Sequence, residues 1–127
     1  MRGTPVGDGS ADVTAQIWHV TVTVAGPPVD VPLLRAALGR LGEEQPFLLS
    51  LRYAPDRVEL RYWDQASCLD DAAAMGLRLW GEHRSSARLP PWSVVGLEVV
   101  DRDTFQRRAV APAAVAALEP AGAVLPL

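Results

Sequence analysis

Segments with strand-like and helix-like patterning follow one another in the order strand, helix, strand, strand, helix, strand, and this order limits the fold more than any single residue. The strand segments are residues 17–24, 47–53, 58–63 and 92–100. In the first, Trp18, Val20, Val22 and Val24 point one way, while Ile17, His19, Thr21 and Thr23 point the other. The second sets Phe47, Leu49, Leu51 and Tyr53 against Leu48, Ser50 and Arg52. The third sets Val58, Leu60 and Tyr62 against Glu59, Arg61 and Trp63, and the fourth sets Val95, Leu97 and Val99 against Val94, Gly96, Glu98 and Val100. Between the second and third, Ala54-Pro55-Asp56-Arg57 has the chemistry of a tight turn, so these two strands form a hairpin.

Each helix has start and stop signals. Asp30 is the expected N-cap of the first, Pro32 fits its first turn, and Leu34, Ala37, Leu38 and Leu41 form an apolar stripe that Gly42 would end. Ser67-x-x-Asp70 resembles a capping box for the second. That helix is expected to run to about Ser85 and bury Leu69, Ala72, Ala73, Gly76, Leu79 and Trp80. Residues 1–15 read as a flexible leader, 16–105 as the folded domain, and 106–127 as an Ala/Pro-rich tail, with Ala113–Leu118 a candidate short helix.

This order resembles the ferredoxin-like fold, a β-α-β-β-α-β sandwich of the α+β class. The resemblance covers residues 17–101. It implies a four-stranded antiparallel sheet in the order 4-1-3-2 with two helices on one face, because right-handed crossovers place both helices on the same side. The stretch Leu89-Pro90-Pro91-Trp92-Ser93-Val94-Val95-Gly96-Leu97-Glu98-Val99-Val100-Asp101-Arg102 is also similar to uncharacterised small actinobacterial proteins. Neither resemblance implies a catalytic residue.

Composition excludes several chemistries. The chain has no lysine or asparagine, so all twelve Lys-or-Arg positions are arginine. Codon bias of a high-GC genome accounts for that absence, yet it still rules out a lysine Schiff base and a phosphate-loop lysine. Cys68 is the only cysteine, which excludes an internal disulfide, a four-cysteine zinc site and an iron–sulfur cluster. Asp70-Asp71 fits a negatively charged helix start better than a metal site, and no cofactor or metal is expected. A net charge of −3 and a sparse set of exposed aromatics argue against nucleic acid as a partner. No apolar run approaches the roughly 18 residues that span a bilayer, and the first fifteen lack the apolar centre of a secretion signal, so a cytoplasmic address is expected.

The interest lies on the sheet face away from the helices. The pattern assigns it Ile17, His19, Thr21, Thr23, Leu48, Ser50, Arg52, Glu59, Arg61, Trp63, Val94, Glu98 and Val100. Arg52, Glu59, Arg61 and Glu98 can pair across strands in water. Trp63, Ile17, Leu48 and Val94 are too apolar to remain wet, so a homodimer partner, another protein or a small apolar ligand is expected to cover them. The tail folding over the sheet would give the same cover without dimerisation.

The first functional expectation is therefore a binding or assembly module, with Trp63, Arg52, Glu59, Ile17 and Leu48 as its contact residues. The alternative is a cofactor-free isomerase or cyclase. In it His19 acts as base with an ordinary pKa near 6.5, Arg61 or Arg52 steadies negative charge, and Trp63 lines the pocket. Against that alternative, His19 reads more simply as a solvent-facing strand residue. His83 reads as a helix-end histidine placed to favour the dipole, and Cys68 as a small buried apolar residue.

Overall fold

The computed structural model describes residues 15–108 and 123–127. Its elements are β1 (Gln16–Ala25), α1 (Val31–Glu44), β2 (Leu48–Ala54), β3 (Arg57–Ala66), α2 (Leu69–His83), β4 (Ser93–Asp101), α3 (Arg102–Arg108) and β5 (Ala123–Pro126). The fold is α+β. The strands form one sheet in the order β4-β1-β3-β2-β5. The first four pair antiparallel, and β5 joins the outer edge of β2 in parallel. The sheet is thus five-stranded and mixed rather than the four-stranded antiparallel sheet expected. The reason is local: the free edge of β2 offers unpaired backbone groups, which β5 takes up, and Leu127 N–H donates to the Tyr53 carbonyl at 2.7 Å. The expected leader at residues 1–15, apart from Ala15, and the helix expected at Ala113–Leu118 lie outside the described residues.

Alternation along the central strands builds the core. Val20 lies opposite Tyr62, Val22 opposite Leu60 and Val24 opposite Val58, and all six are fully buried. Leu34, Ala37, Leu38 and Leu41 of α1 cover this face as the stripe predicts, as do Ala72, Gly76, Leu79 and Trp80 of α2. A Cβ on Gly76 would lie 3.0 Å from Leu97 and 3.3 Å from both Val20 and the Tyr62 oxygen, so a glycine lets α2 settle on the sheet. Gly26 is still tighter, because a Cβ there would come within 2.2 Å of the Trp92 ring. Trp92 stacks on Trp80 with ring centroids 6.1 Å apart. Each of these buried indoles donates its N–H to a backbone carbonyl, Trp80 to Pro90 and Trp92 to Pro27, both at 3.0 Å.

Two β-bulges overturn two expectations about facing. In β2 the register slips between Leu48 and Ser50, so Leu48 pairs with Tyr62 and lies buried on the helix side. In β4 it slips between the partners of Thr23 and Val24, so Val94 pairs with Val24 and packs against the same core. One extra residue reverses which side the following residues face, and strict alternation cannot anticipate it.

The helix ends also depart from expectation. Asp30 is the N-cap of α1 but makes no side-chain cap bond, and α1 continues through Gly42 to a cap at Gln45. The N-cap of α2 is Cys68, one residue after the expected Ser67, whose hydroxyl instead donates to Asp71 at 3.0 Å. α2 ends at His83 rather than near Ser85, and Leu69 is exposed.

Candidate functional site

The face opposite α1 and α2 carries His19 of β1 between Trp63 of β3 and Val100 of β4. Further along β1, Thr21 lies between Arg61 and Glu98. Trp63 therefore looks away from the two long helices, as expected. It is not left open, because α3 lies across this face.

The sequence of α3 explains its position. Asp101 accepts a 2.7 Å hydrogen bond from Thr104 N–H and so starts the helix where β4 ends. Bonds from Thr104, the hydroxyl ahead of the amide, hold the Asp101 carboxyl below the usual carboxylate range. At the other end Arg108 Nη1 donates to Glu98 Oε2 at 2.8 Å, tying the last turn back to β4. Between these two tethers Phe105 comes down on the sheet. Its ring centroid is 4.2 Å from that of His19 and 4.8 Å from that of Trp63, and His19 and Trp63 meet edge to face at 5.1 Å.

This aromatic cluster changes the chemistry of His19. The side chain is 5% exposed, not the solvent-facing residue that alternation implies. Burial lowers its pKa to about 4, and the nearby Arg61 guanidinium adds to the effect against an opposing pull from Glu98. At neutral pH His19 is an uncharged imidazole packed between two aromatic rings. It is a much weaker base than its ordinary pKa near 6.5 implies.

Beside the cluster, Ile17, Trp63, Arg102, Phe105 and Gln106 line a groove of about 290 Å³. A second hollow of about 430 Å³ shares Ile17 and Arg102 with it and adds Ala15, Gln16, Gln65, Asp101 and Asp103. The groove is lined mainly by apolar surface, Arg102 and Gln106 add polar groups to its lining, and Ile17 remains 41% exposed. Two of the sequence-predicted contact residues, Ile17 and Trp63, meet here, and His19 sits behind them. Arg61 and Glu59 share the face but pair with each other, Nε and Nη2 both 3.0 Å from Glu59 Oε1. Arg52 lies opposite Glu59 on β2. Leu48 is not part of the surface, because its bulge turns it into the helix-side core.

The sequence pattern missed Phe105, Arg102 and Gln106. A signal for α3 exists: an Asp cap, an acid in the first turn at Asp103, and bases in the last turn at Arg107 and Arg108.

A second polar cluster joins the C-terminal ends of α1 and α2. His83 Nδ1 lies 2.7 Å from Glu44 Oε1, and the Gln45 side-chain amide nitrogen is hydrogen-bonded to His83 Nε2. Ser86 Oγ donates to the same Glu44 oxygen at 2.7 Å, and Arg40 Nε to the Ala87 carbonyl at 2.8 Å. Bonds from Ser86 and His83 hold the Glu44 carboxyl low. The Ser86 hydroxyl is spent on a carboxylate rather than aimed at the imidazole, so the cluster clasps two helix ends and activates no nucleophile. Cys68 is exposed at the start of α2 and not the buried apolar residue expected. Among the described residues no group of three or more His, Cys, Asp or Glu is placed to hold a metal ion, and no helix is long and apolar enough to cross a membrane.

Residues 17–116 match the family model described as Domain of unknown function (DUF8830), and the chain belongs to that family. No curated protein matches it.

Proposed function

We propose that this chain is a small binding module of ferredoxin-like type, whose site is the groove between α3 and the open sheet face. The observation that carries this reading is the juxtaposition of Ile17, Trp63 and Phe105 as apolar walls with Arg102 and Gln106 in the same lining. Apolar walls with a few polar groups at one end are the usual make-up of a small-molecule site. The groove suits a compact, flat, largely apolar ligand with an acidic or hydrogen-bonding end toward Arg102. The order β4-β1-β3-β2 of the first four strands, with α1 and α2 on one side, supports the fold assignment. The burial of His19 under Phe105 favours binding over proton transfer at this face.

The test uses two fluorescent naphthalene probes, the anionic anilinonaphthalene sulfonate and the neutral phenylnaphthylamine. Trp63→Ala is expected to weaken both at least about tenfold, the effect of losing roughly 1.4 kcal/mol of contact. Arg102→Gln should weaken the anionic probe alone. Leu33→Ala, at an exposed position on α1, should change neither. Equal binding of both probes to wild type and Trp63→Ala would contradict the proposal.

A further inference from the structure

A separate cavity of about 220 Å³ opens between the first turns of α1 and the segment that joins α2 to β4, and it shares no lining residue with the groove. Leu34 and Ala37 of α1 form one wall, and Leu89 and Pro90 form the other. Both walls are fixed before any ligand arrives. Leu34, Ala37 and Leu89 are buried members of the core. Arg40 Nε donates to the Ala87 carbonyl at 2.8 Å, and Leu89 N–H donates to the Arg84 carbonyl at 2.9 Å. The Pro90 carbonyl accepts two bonds, from Trp80 Nε1 at 3.0 Å and from Trp92 N–H at 2.8 Å. Among the described residues of the lining, Arg88 is the only charged one and the rest are apolar.

The backbone of Arg88 is unusual. Its φ is 57°, in the left-handed region, and no other described non-glycine residue has a positive φ. Glycine takes that conformation freely just past a helix, whereas any residue with a Cβ loses stability there. Among the described residues, none forms a hydrogen bond or ion pair with the Arg88 guanidinium. No contact of the side chain within the described fold therefore accounts for an arginine at this position.

We propose that this cavity binds a small aliphatic carboxylic acid, with its chain between the two apolar walls and its carboxylate on the Arg88 guanidinium. A guanidinium offers two parallel donors that match the two oxygens of a carboxylate. Arg88 is exposed, so the charged end of such a ligand stays beside water while only its chain is desolvated. One positive charge with no second polar side chain in the lining matches a single negative charge. A phosphate dianion would hold its second charge over apolar walls, which is unfavourable. The volume is below the range of roughly 300–1,000 Å³ typical of drug-sized ligands, which suits a short chain.

Titration of the full chain with hexanoate, 1-hexanol and hexylamine, followed by amide NMR, tests the proposal. Hexanoate should shift the amides of Leu34, Ala37, Arg88 and Leu89 in a saturable way and bind at least about tenfold tighter than the alcohol or the amine. Arg88→Asn removes the charge, and asparagine tolerates the left-handed conformation, so the fold is kept. This variant should weaken hexanoate at least about tenfold and leave 1-hexanol unchanged. Arg88→Gly should show the same loss together with a thermal midpoint a few degrees higher, because glycine adopts this φ without strain. Trp63→Ala should alter none of these affinities. The proposal is overturned by the absence of saturable shifts at those amides, by equal binding of hexanoate and 1-hexanol, or by undiminished hexanoate binding in Arg88→Asn. Shifts confined to Ile17, Trp63 and Phe105 would also overturn it, by placing the acid in the groove.

Discussion

On the helix side of the sheet, Val20, Val22, Val24, Val58, Leu60 and Tyr62 are all fully buried beneath two long helices. On the other side the same two strands present Thr21, Thr23 and Glu59 half-buried and Arg61 exposed, and the only helix described there has seven residues. The helix side draws its stability from apolar area spread over the whole sheet. The α3 side concentrates its burial at one point, where Phe105 covers His19, and leaves Ile17, Trp63 and Arg102 around an open groove. A face closed everywhere has little room for a ligand. A face closed at one corner has both a rigid wall and an opening.

The sharpest way to break this contrast is to cut into each side. Leu60→Ala should cost about 2–5 kcal/mol in urea unfolding, as expected for a fully buried leucine. A cost near that of a surface substitution would mean that the helix-side core is not packed as described.

The second test uses pH. The folded pKa of His19 lies at about 4 against 6.5 for an ordinary histidine, so between these values the unfolded chain binds more protons than the folded one. Stability from this group is complete above pH 6.5 and is lost as pH falls toward 4, by up to about 3 kcal/mol. His19→Phe keeps an aromatic ring in place and should remove most of that acid sensitivity. An unchanged slope of stability against pH would assign the sensitivity to other groups.

A smaller effect is expected from Phe105→Ala, about 1–2 kcal/mol, because the ring is only partly buried. Its signature is a rise of the His19 pKa toward 6.5 as water reaches the imidazole. The smallest effect should have the opposite sign. The Tyr62 hydroxyl is buried with no hydrogen-bond partner among the described residues, and burial and the nearby Asp64 push its pKa well above the ordinary tyrosine value. Tyr62→Phe removes an unsatisfied polar group from beneath α2 and should raise stability by about 1 kcal/mol. A loss of stability would point to a water bonded to that oxygen.

The contrast between the faces also explains what could be read from the sequence. Period-two alternation on β1 and β3 placed Trp18, Val20, Leu60, Tyr62 and Trp63 on their observed sides, because neither strand is bulged where the two pair. It failed at Leu48 and Val94, where one inserted residue in an outer strand turns the face over. Of the groove, Ile17 and Trp63 were readable from alternation alone. Phe105 was not, because its contact with His19 spans most of the domain and depends on a cap at Asp101 and an ion pair at Arg108. β5 carried too few residues for any periodicity to show.

The central claim is that α3 seats Phe105 on His19 and thereby makes one wall of the groove. Titrating the His19 ring by nitrogen-15 NMR in the intact chain tests it most directly. The account predicts an imidazole that stays neutral until the pH approaches about 4. A midpoint near 6.5 would place the ring in water, leave Phe105 unseated, and take away the wall on which the proposed site depends.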